Sequence, residues 1–248
     1  MTQSNPPLPL EMILCTRSER RVYLLREAGF RFGVIVSNFH EAGVSFSNPI
    51  ATGKAVARGK IEAVAARLPA ELVAVGETDP TSIAPDVTLV GADTMVELNG
   101  VLYGQPTDPG DARRILRELS GQTHKVYTSV AILRMQPAAA AGSVAAAPAR
   151  PHSHIHMFTG ITEVTFRVLT DFEIDGYIET GEPLDKAGAY GIQGHGRSLV
   201  RGWKGSLYNV IGFPLEEFLA HEACPLAARL EGSKMPSVRF PDNVIAGL

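Results

Sequence analysis

The stretch Val87-Thr-Leu-Val-Gly-Ala-Asp-Thr-Met-Val-Glu-Leu-Asn-Gly100 decides the fold. Two short apolar runs flank the small residues Gly91 and Ala92 and the polar pair Asp93 and Thr94. An Asn-Gly pair after alternating apolar residues is typical of a β-hairpin. The pattern predicts a strand, an aspartate at a kink, a second strand, a tight turn and a third strand. A buried aspartate needs a cationic partner, a metal ion or a proton. A solvated aspartate on an edge strand is the alternative, and this stretch alone leaves both open.

A polar segment rich in arginine lies near the start of the chain. Residues 12–15 are apolar and predict a strand, and residues 22–29 predict a helix for which Ser18 is a candidate N-cap. A helix N-terminus attracts anions, and guanidinium groups donate paired hydrogen bonds to phosphate oxygens. Cations are disfavoured at a helix N-terminus, so an anionic ligand is favoured over a solvated basic turn. The guanidinium groups are those of Arg17, Arg20 and Arg21.

Two further candidates follow the next predicted strand, residues 32–36. Glu41 comes just after this strand, where the sites of α/β proteins gather. The apolar pattern of residues 55–68 predicts a helix, and Lys60 lies near the edge of its apolar face. Lys60 can therefore reach inward, although a lysine that extends to solvent is the more common case.

The remaining apolar patterns predict a mixed α/β protein. Residues 42–52 and 76–87 are predicted loops, and residues 199–214 are predicted as strand, turn and strand. The helices are predicted over residues 111–119, 171–180 and 215–230, and the strands over residues 123–133 and 161–168.

Residues 183–196 form a glycine-rich segment that contains the adjacent opposite charges Asp185 and Lys186. Because glycine lets backbone approach closely, such a loop can contact a flat or charged ligand. On glycine content alone, an irregular turn is the favoured interpretation.

Composition indicates an ordinary globular protein. Of the 248 residues, 45% are hydrophobic and 20% are charged, and the net charge is −3. This charge offers no basis for binding nucleic acid or an anionic membrane. The two cysteines, Cys15 and Cys224, are far apart and indicate neither a disulfide scaffold nor a structural zinc site. No apolar run reaches the roughly 18 residues needed to cross a bilayer. We therefore expect a cytoplasmic protein.

The domain prediction has four parts. Residues 1–10 are expected to be a disordered leader, residues 11–230 one domain, and residues 231–248 a tail. Residues 136–156 form a low-complexity insertion that ends in His152, His154 and His156. A metal site there is the less favoured interpretation, because the segment lacks nearby carboxylates.

Several motifs, in this order along the chain, resemble those of the Maf family of nucleoside triphosphate pyrophosphatases. The resemblance runs from about residue 12 to residue 219 and depends on the whole set, because each motif alone is weak. The motifs are Thr16-Arg-Ser-Glu-Arg-Arg21, Ser37-Asn-Phe-His-Glu41, Lys60-Ile-Glu-Ala-Val-Ala65, Gly91-Ala-Asp-Thr94, Leu119-Ser-Gly121, Thr162-Glu-Val-Thr-Phe166, Glu182-Pro-Leu-Asp-Lys-Ala-Gly-Ala-Tyr-Gly-Ile-Gln-Gly194 and Gly205-Ser-Leu-Tyr-Asn-Val-Ile-Gly-Phe-Pro214.

The resemblance implies a mixed α/β fold with a long bent central sheet and two lobes around a cleft. It implies hydrolysis of a nucleoside triphosphate to the monophosphate and pyrophosphate with Mg²⁺ or Mn²⁺. The last two motifs are similar to those of the branch that acts on dTTP and UTP. A homodimer is also expected from the resemblance.

The hydrolysis implied by the resemblance assigns a role to each candidate residue. Mg²⁺ binds oxygen ligands and usually takes one or two carboxylates, which are predicted to be those of Glu41 and Asp93. Asp93 is also the predicted base that orients water at the α-phosphorus. Ser18 is predicted to bind a terminal phosphate, and Thr94 and Gln193 to contact the base. The predicted phosphate-neutralising cations are Arg20, Arg21, Lys60 and Lys186.

Three positions depart from the family pattern. Gln105 replaces a lysine expected to contact phosphate, at a cost on the order of 1–3 kcal/mol. His40 and Lys204 replace acidic residues. These departures leave open a second hypothesis, a catalytically weakened nucleotide-binding regulator linked to septum formation. A Rossmann oxidoreductase is rejected, because no Gly-x-Gly-x-x-Gly follows the first strand.

Overall fold

The computed structural model describes residues 10–41, 44, 48–68, 83–135 and 154–225. A seven-stranded sheet has the order β2-β1-β3-β5-β6-β7, and β4 pairs with the far end of β3. The sheet is mixed: β1 is parallel to β2 and β3, and the other pairs are antiparallel. This confirms the mixed α/β prediction. The strands are β1 (Leu10–Leu14), β2 (Phe32–Val34), β3 (Ile83–Leu98), β4 (Val101–Tyr103), β5 (Thr123–Met135), β6 (Ile155–Phe166) and β7 (Val200–Lys204).

Strand β3 continues through the aspartate instead of breaking there. It is 16 residues long and pairs with β5 from Val87 to Glu97. The predicted kink at Asp93 is therefore wrong, because β5 supplies backbone partners on both sides of it. The predicted hairpin is confirmed: Asn99 and Gly100 have φ values of 52° and 85° and connect β3 to β4.

The opposite edge of β3 contains a gap. Strand β1 pairs with β3 only as far as Val90, and β4 begins to pair at Val96. Within the described ranges, no strand pairs with residues 91–95 on this edge. The carboxyl ends of the parallel strands β1 and β2 lie beside this gap, which is where ligands bind in α/β sheets.

The helices are divided between the two faces of the sheet. Side chains of β3 alternate: Val90 and Ala92 belong to a large hydrophobic core with most of the helices, whereas Val87 and Leu89 pack with α2 in a smaller core. The helices are α1 (Glu19–Glu27), α2 (Pro49–Ala65), α3 (Pro109–Leu119), α4 (Asp171–Glu179), α5 (Leu207–Ile211) and α6 (Leu215–Ala220).

Several predicted boundaries change. Helix α1 includes Arg20 and Arg21 in its first turn, and α2 begins at Pro49 behind the N-cap Asn48, so part of the loop predicted at 42–52 is helical. Residues 83–87 belong to β3 rather than to a loop.

The corrections near the C-terminal half have local causes. Strand β6 begins at Ile155, inside the predicted insertion. Ser206 accepts a hydrogen bond from the backbone N–H of Asn209 and begins α5, so the second strand predicted within 199–214 is a short helix. Helix α6 ends at Ala220, well before residue 230.

Leu10, the last residue of the predicted leader, begins β1. The rest of the leader, the predicted tail (residues 231–248) and most of the low-complexity insertion lie outside the described residues. None of the helices within the described ranges is long and apolar enough to cross a membrane.

Candidate active site

A close contact between α2 and β3 places Lys60 at the gap. A Cβ atom added to Gly91 would lie 2.8 Å from both the Ala57 carbonyl oxygen and Ile61 Cγ2. Only glycine therefore allows the helix to approach the strand this closely. Lys60 lies on this helix between those two residues and extends toward Asp93, two positions along the strand from Gly91.

Lys60 joins two carboxylates. Its Nζ atom lies 2.7 Å from Asp93 Oδ1 and 3.3 Å from Glu41 Oε1. The side chains of Lys60 and Asp93 are 18% and 12% exposed, whereas that of Glu41 is 46% exposed. The inward orientation of Lys60, one of the two interpretations of its sequence position, is thus the observed one. The ammonium supplies the partner that the buried Asp93 carboxylate requires.

Arg21 is held on the other face of β3. Its Nε donates to the Gly212 carbonyl at 2.7 Å, and its Nη2 donates to Thr94 Oγ1 at 3.0 Å. Burial lowers the pKa of Arg21 to about 10, and the nearby Asp93 carboxylate opposes this decrease. The guanidinium therefore remains charged at neutral pH. Ser18 caps the same helix and accepts from the backbone N–H of Arg21.

Asp93 and Thr94 are neighbours in sequence but face opposite sides of the sheet. Asp93 contacts α2, and Thr94 contacts α1, as the alternation of a strand requires. Among the described residues, no strand pairs with this edge of β3 at the gap. Side chains on both faces of the strand are therefore accessible from the gap. A ligand at the gap can contact the carboxylates on one side and Thr94 on the other.

Asp185 gathers three of the other predicted residues. Its carboxylate lies 3.2 Å from Arg20 Nη1 and pairs with Lys186 Nζ, and its carbonyl accepts from Gln105 Nε2 at 3.1 Å. Arg20 and Lys186 are therefore close together. One amide N–H of Gln105 is therefore bonded to a backbone carbonyl of the glycine-rich loop.

The glycine-rich loop is ordered around Glu182 as three short 3₁₀ helices (Glu182–Asp185, Ala187–Ala189 and Gly194–Leu199). The Glu182 carboxylate accepts hydrogen bonds from the Tyr177 hydroxyl and from the backbone N–H groups of His195 and Gly196. The Tyr177 hydroxyl in turn accepts from Gly191 N at 3.0 Å. Burial, together with the Glu182 charge, raises the pKa of Tyr177. These bonds hold the segment that carries Lys186 and Gln193.

Gln193 is half-buried in this loop. Among the described residues, its side chain makes no hydrogen bond to the other predicted site residues. The structure thus links nine of the ten predicted residues in contacting groups around the gap and places Gln193 on the adjoining loop. Their roles in binding and catalysis remain predictions.

The oxygen donors at the gap suit a hard divalent cation. Asp93 and Glu41 already flank one positive charge, the Lys60 ammonium, and magnesium sites commonly combine one or two carboxylates with water and substrate oxygens. Within the described ranges, no three His, Cys, Asp or Glu side chains are grouped to hold a metal ion. Two carboxylates thus fit a metal that binds together with a phosphate ligand.

The histidine segment is described only from His154. His154 packs edge to face against His156, which packs in the same way against His221. His152 lies outside the described residues. Among the described residues, these side chains are not part of a group of three or more His, Cys, Asp or Glu side chains that could hold a metal ion.

Sequence reasoning missed two buried residues behind the gap. Thr128 is paired with Thr94 across the sheet, and Asn209 lies in the middle of α5; both are fully buried. Asn209 could have been found within the Gly205–Pro214 motif. The alternating strand pattern contains nothing that distinguishes Thr128 from an ordinary strand residue.

Comparison with known proteins identifies a matching family model and several similar relatives. The family model described as Maf-like protein matches residues 11–221. A dTTP/UTP pyrophosphatase of Moorella thermoacetica is 40% identical over 213 residues, which cover 85% of this chain and 94% of that protein. One of Escherichia coli O6:K15:H31 is 38% identical, covering 83% and 88% of the two chains. One of Clostridium novyi is 35% identical, covering 83% and 93%.

Proposed function

The chain belongs to the Maf-like protein family, and we propose that it hydrolyses dTTP or UTP to the nucleoside monophosphate and pyrophosphate. The observation that carries this proposal is the Glu41–Lys60–Asp93 group at the gap in the sheet, with Arg21 on the other face. A triphosphate carries about four negative charges at neutral pH, so its cleavage requires cations and an oriented water molecule.

Asp93 is the proposed base. A water molecule attacks the α-phosphorus, the bond from this phosphorus to the bridging oxygen breaks, and pyrophosphate leaves with the electron pair. Asp93 accepts a proton from the water, for which its carboxylate must be released from the Lys60 ammonium. The phosphates provide an alternative anionic partner for Lys60. Arg20, Arg21 and Lys186 then oppose the remaining negative charge, and Ser18 binds a terminal phosphate.

We propose Mg²⁺ or Mn²⁺ as the cofactor, held by Glu41 and Asp93. The ion would neutralise phosphate charge and stabilise the leaving pyrophosphate. The fit of these two carboxylates to a hard cation supports this assignment.

We also propose a cytoplasmic location and a homodimer. The chain has only two cysteines, which are far apart in the sequence, and this usage suits a reducing compartment. The homodimer follows from the family resemblance, and sedimentation velocity of the purified chain tests it.

A nucleotide panel tests the activity. The purified protein is incubated with dTTP, UTP, CTP and ITP in Mg²⁺ or Mn²⁺, and the products are separated by anion-exchange chromatography. We expect monophosphate and pyrophosphate in equal amounts from dTTP and UTP. Release of phosphate without pyrophosphate, or no product from any nucleotide, contradicts the proposal.

Replacement of the proposed base gives the first specific prediction. Asp93→Asn removes the proton acceptor but keeps a similar shape, so turnover of UTP should fall by about 100-fold or more. Glu97→Gln is the matched control, because it removes a carboxylate from β3 where β4 already pairs. A wild-type rate for Asp93→Asn would assign the base elsewhere.

Gln105 supports the second candidate function, a nucleotide-binding protein with weak catalysis. Its amide donates to the Asp185 carbonyl and carries no charge. Gln105→Lys should raise kcat/KM for UTP about tenfold, since charge-assisted hydrogen bonds are roughly twice as strong as neutral ones. Tight UTP binding without turnover in the wild type, and turnover in this variant, would favour the regulatory function. An unchanged kcat/KM would show that Gln105 does not weaken the enzyme.

A further inference from the structure

A continuous line of hydrogen bonds runs behind Thr94. Arg21 Nη2 donates to Thr94 Oγ1 at 3.0 Å, the hydroxyl oxygens of Thr94 and Thr128 are 3.0 Å apart, and Thr128 Oγ1 donates to the Asn209 carbonyl at 2.9 Å. Thr128 and Asn209 are fully buried. The ends of this line are an arginine and a carbonyl, which have fixed roles.

These fixed ends determine the direction of every bond between them. A carbonyl only accepts, so the Thr128 hydroxyl proton points to Asn209. Thr128 has no second proton, and Thr94 must therefore donate in the bond that joins the two hydroxyls. Arginine only donates, so Thr94 accepts from Arg21. The Thr94 hydroxyl has then used its proton and one lone pair, and it offers one further lone pair to a ligand.

The surroundings prevent Thr128 from turning. It lies in the centre of β5, directly opposite Thr94 in the ladder, and a β-branched side chain has few χ1 choices in a strand. Asn209 is itself fixed, because its Nδ2 donates to the Val126 carbonyl at 3.0 Å and to Thr162 Oγ1 at 3.1 Å. The acceptor is the main-chain carbonyl of Asn209, which also accepts from the Gly212 N–H at 3.1 Å. A reversed Thr128 hydroxyl would remove one of these two donors from a buried carbonyl, which is unfavourable.

We propose that Thr128 is a positioning residue that holds Thr94 as a hydrogen-bond acceptor toward the pyrimidine base. Uracil and thymine carry a proton on N3, whereas N3 of cytosine is an acceptor. A Thr94 hydroxyl that can only accept therefore favours uracil and thymine, and it places two lone pairs against each other when cytosine binds. The inference rests on the proposed function and on the predicted contact of Thr94 with the base.

The test compares valine and serine at position 128. Thr128→Val keeps the shape and removes the hydroxyl, which frees the Thr94 proton to turn toward the ligand. Binding of the non-hydrolysable α,β-imido analogues of UTP and CTP is measured by calorimetry with Mg²⁺. We expect the preference for the uridine analogue to fall about tenfold or more in Thr128→Val, and Thr128→Ser to retain it. The ratio of kcat/KM for UTP and CTP should change in the same direction.

Thr162→Val is the matched control. Thr162 is equally buried and contacts the same Asn209 side chain, but its hydroxyl donates to the Ser206 carbonyl. The Thr162→Val variant should have lower thermal stability but an unchanged preference for the uridine analogue. An unchanged preference in a folded Thr128→Val variant, or a wild type without a preference, overturns the inference. Because binding is measured without turnover, a protein that discriminates these analogues but releases no pyrophosphate would contradict only the proposed function.

Discussion

The Lys60 ammonium lies between two carboxylates, 2.7 Å from Asp93 and 3.3 Å from Glu41. In this position it neutralises part of their charge and also opposes the approach of a second cation. Under the proposed function, the phosphates of the nucleotide would attract the ammonium away. The metal affinity of these carboxylates would then depend on whether nucleotide is bound.

Replacement of Lys60 should separate metal binding from catalysis. Lys60→Met removes the competing charge, so free Mn²⁺ should bind at least about tenfold more tightly without nucleotide. The same change removes a phosphate-neutralising group, so turnover should fall by about 100-fold or more. Electron paramagnetic resonance of free Mn²⁺ measures the first effect, and pyrophosphate release the second.

Lys54→Met is the control for this prediction. Lys54 lies on the same helix, and among the described residues it makes no ion pair with Asp93 or Glu41. The Lys54→Met variant should leave both the Mn²⁺ affinity and the turnover unchanged. Equal Mn²⁺ affinity in the wild type and Lys60→Met would show that the ammonium does not compete with the metal.

At the scale of elements, the distance between α2 and β3 depends on Gly91. A side chain at this position would overlap the Ala57 carbonyl and the Ile61 side chain. Gly91→Ala should therefore displace α2, with a loss of about 1–3 kcal/mol in the free energy of unfolding. Because α2 carries Lys60, kcat should also fall. Urea unfolding and UTP turnover measure the two effects.

A second glycine serves as the comparison for this change. Gly176 lies inside α4, and a Cβ atom there would have nothing within 4 Å. Gly176→Ala should stabilise the protein by about 0.5–1 kcal/mol, because alanine is favoured in helices. A Gly91→Ala variant as stable as the wild type would mean that α2 and β3 do not need this close contact.

The local sequence pattern predicted those features whose conformation depends on adjacent residues. The Asn99–Gly100 hairpin and the Ser18 cap follow from residues adjacent in sequence, and both are confirmed. The gap beside Gly91–Met95 arises from the lengths of β1 and β4, which are separate segments that pair with the same strand. No pattern within β3 records where its neighbours end, so the predicted kink at Asp93 was wrong.

The same distinction applies to the site at the scale of the whole molecule. Charged candidates such as Lys60 and Arg21 were identified because charges near apolar faces and helix starts need partners. Asp185 was seen only as a partner of its neighbour Lys186, although it also joins Arg20 across the fold. Thr128 acts through groups distant in sequence, and only the folded chain brings them together.

A buried histidine joins the sheet to the glycine-rich loop. His124 of β5 lies 2.8 Å from the Tyr190 hydroxyl through its Nε2 atom, and its ring packs edge to face on Phe166 and Tyr190. Burial lowers the pKa of His124 to about 4 from its ordinary value of 6.5. The native state therefore holds this imidazole neutral where the unfolded chain would protonate it.

This difference predicts acid sensitivity of the whole fold. The contribution of the neutral His124 to the free energy of unfolding is fully present above pH 6.5. It decreases as the pH falls and is lost by about pH 4. At pH 5 the loss should be about 2 kcal/mol, measured by urea unfolding at pH 5 and pH 7.5. His124→Gln removes the titration, so its stability should change less between these pH values than that of the wild type. The exposed His154→Gln control should behave like the wild type, and equal pH dependence in all three proteins would assign the acid sensitivity to other groups.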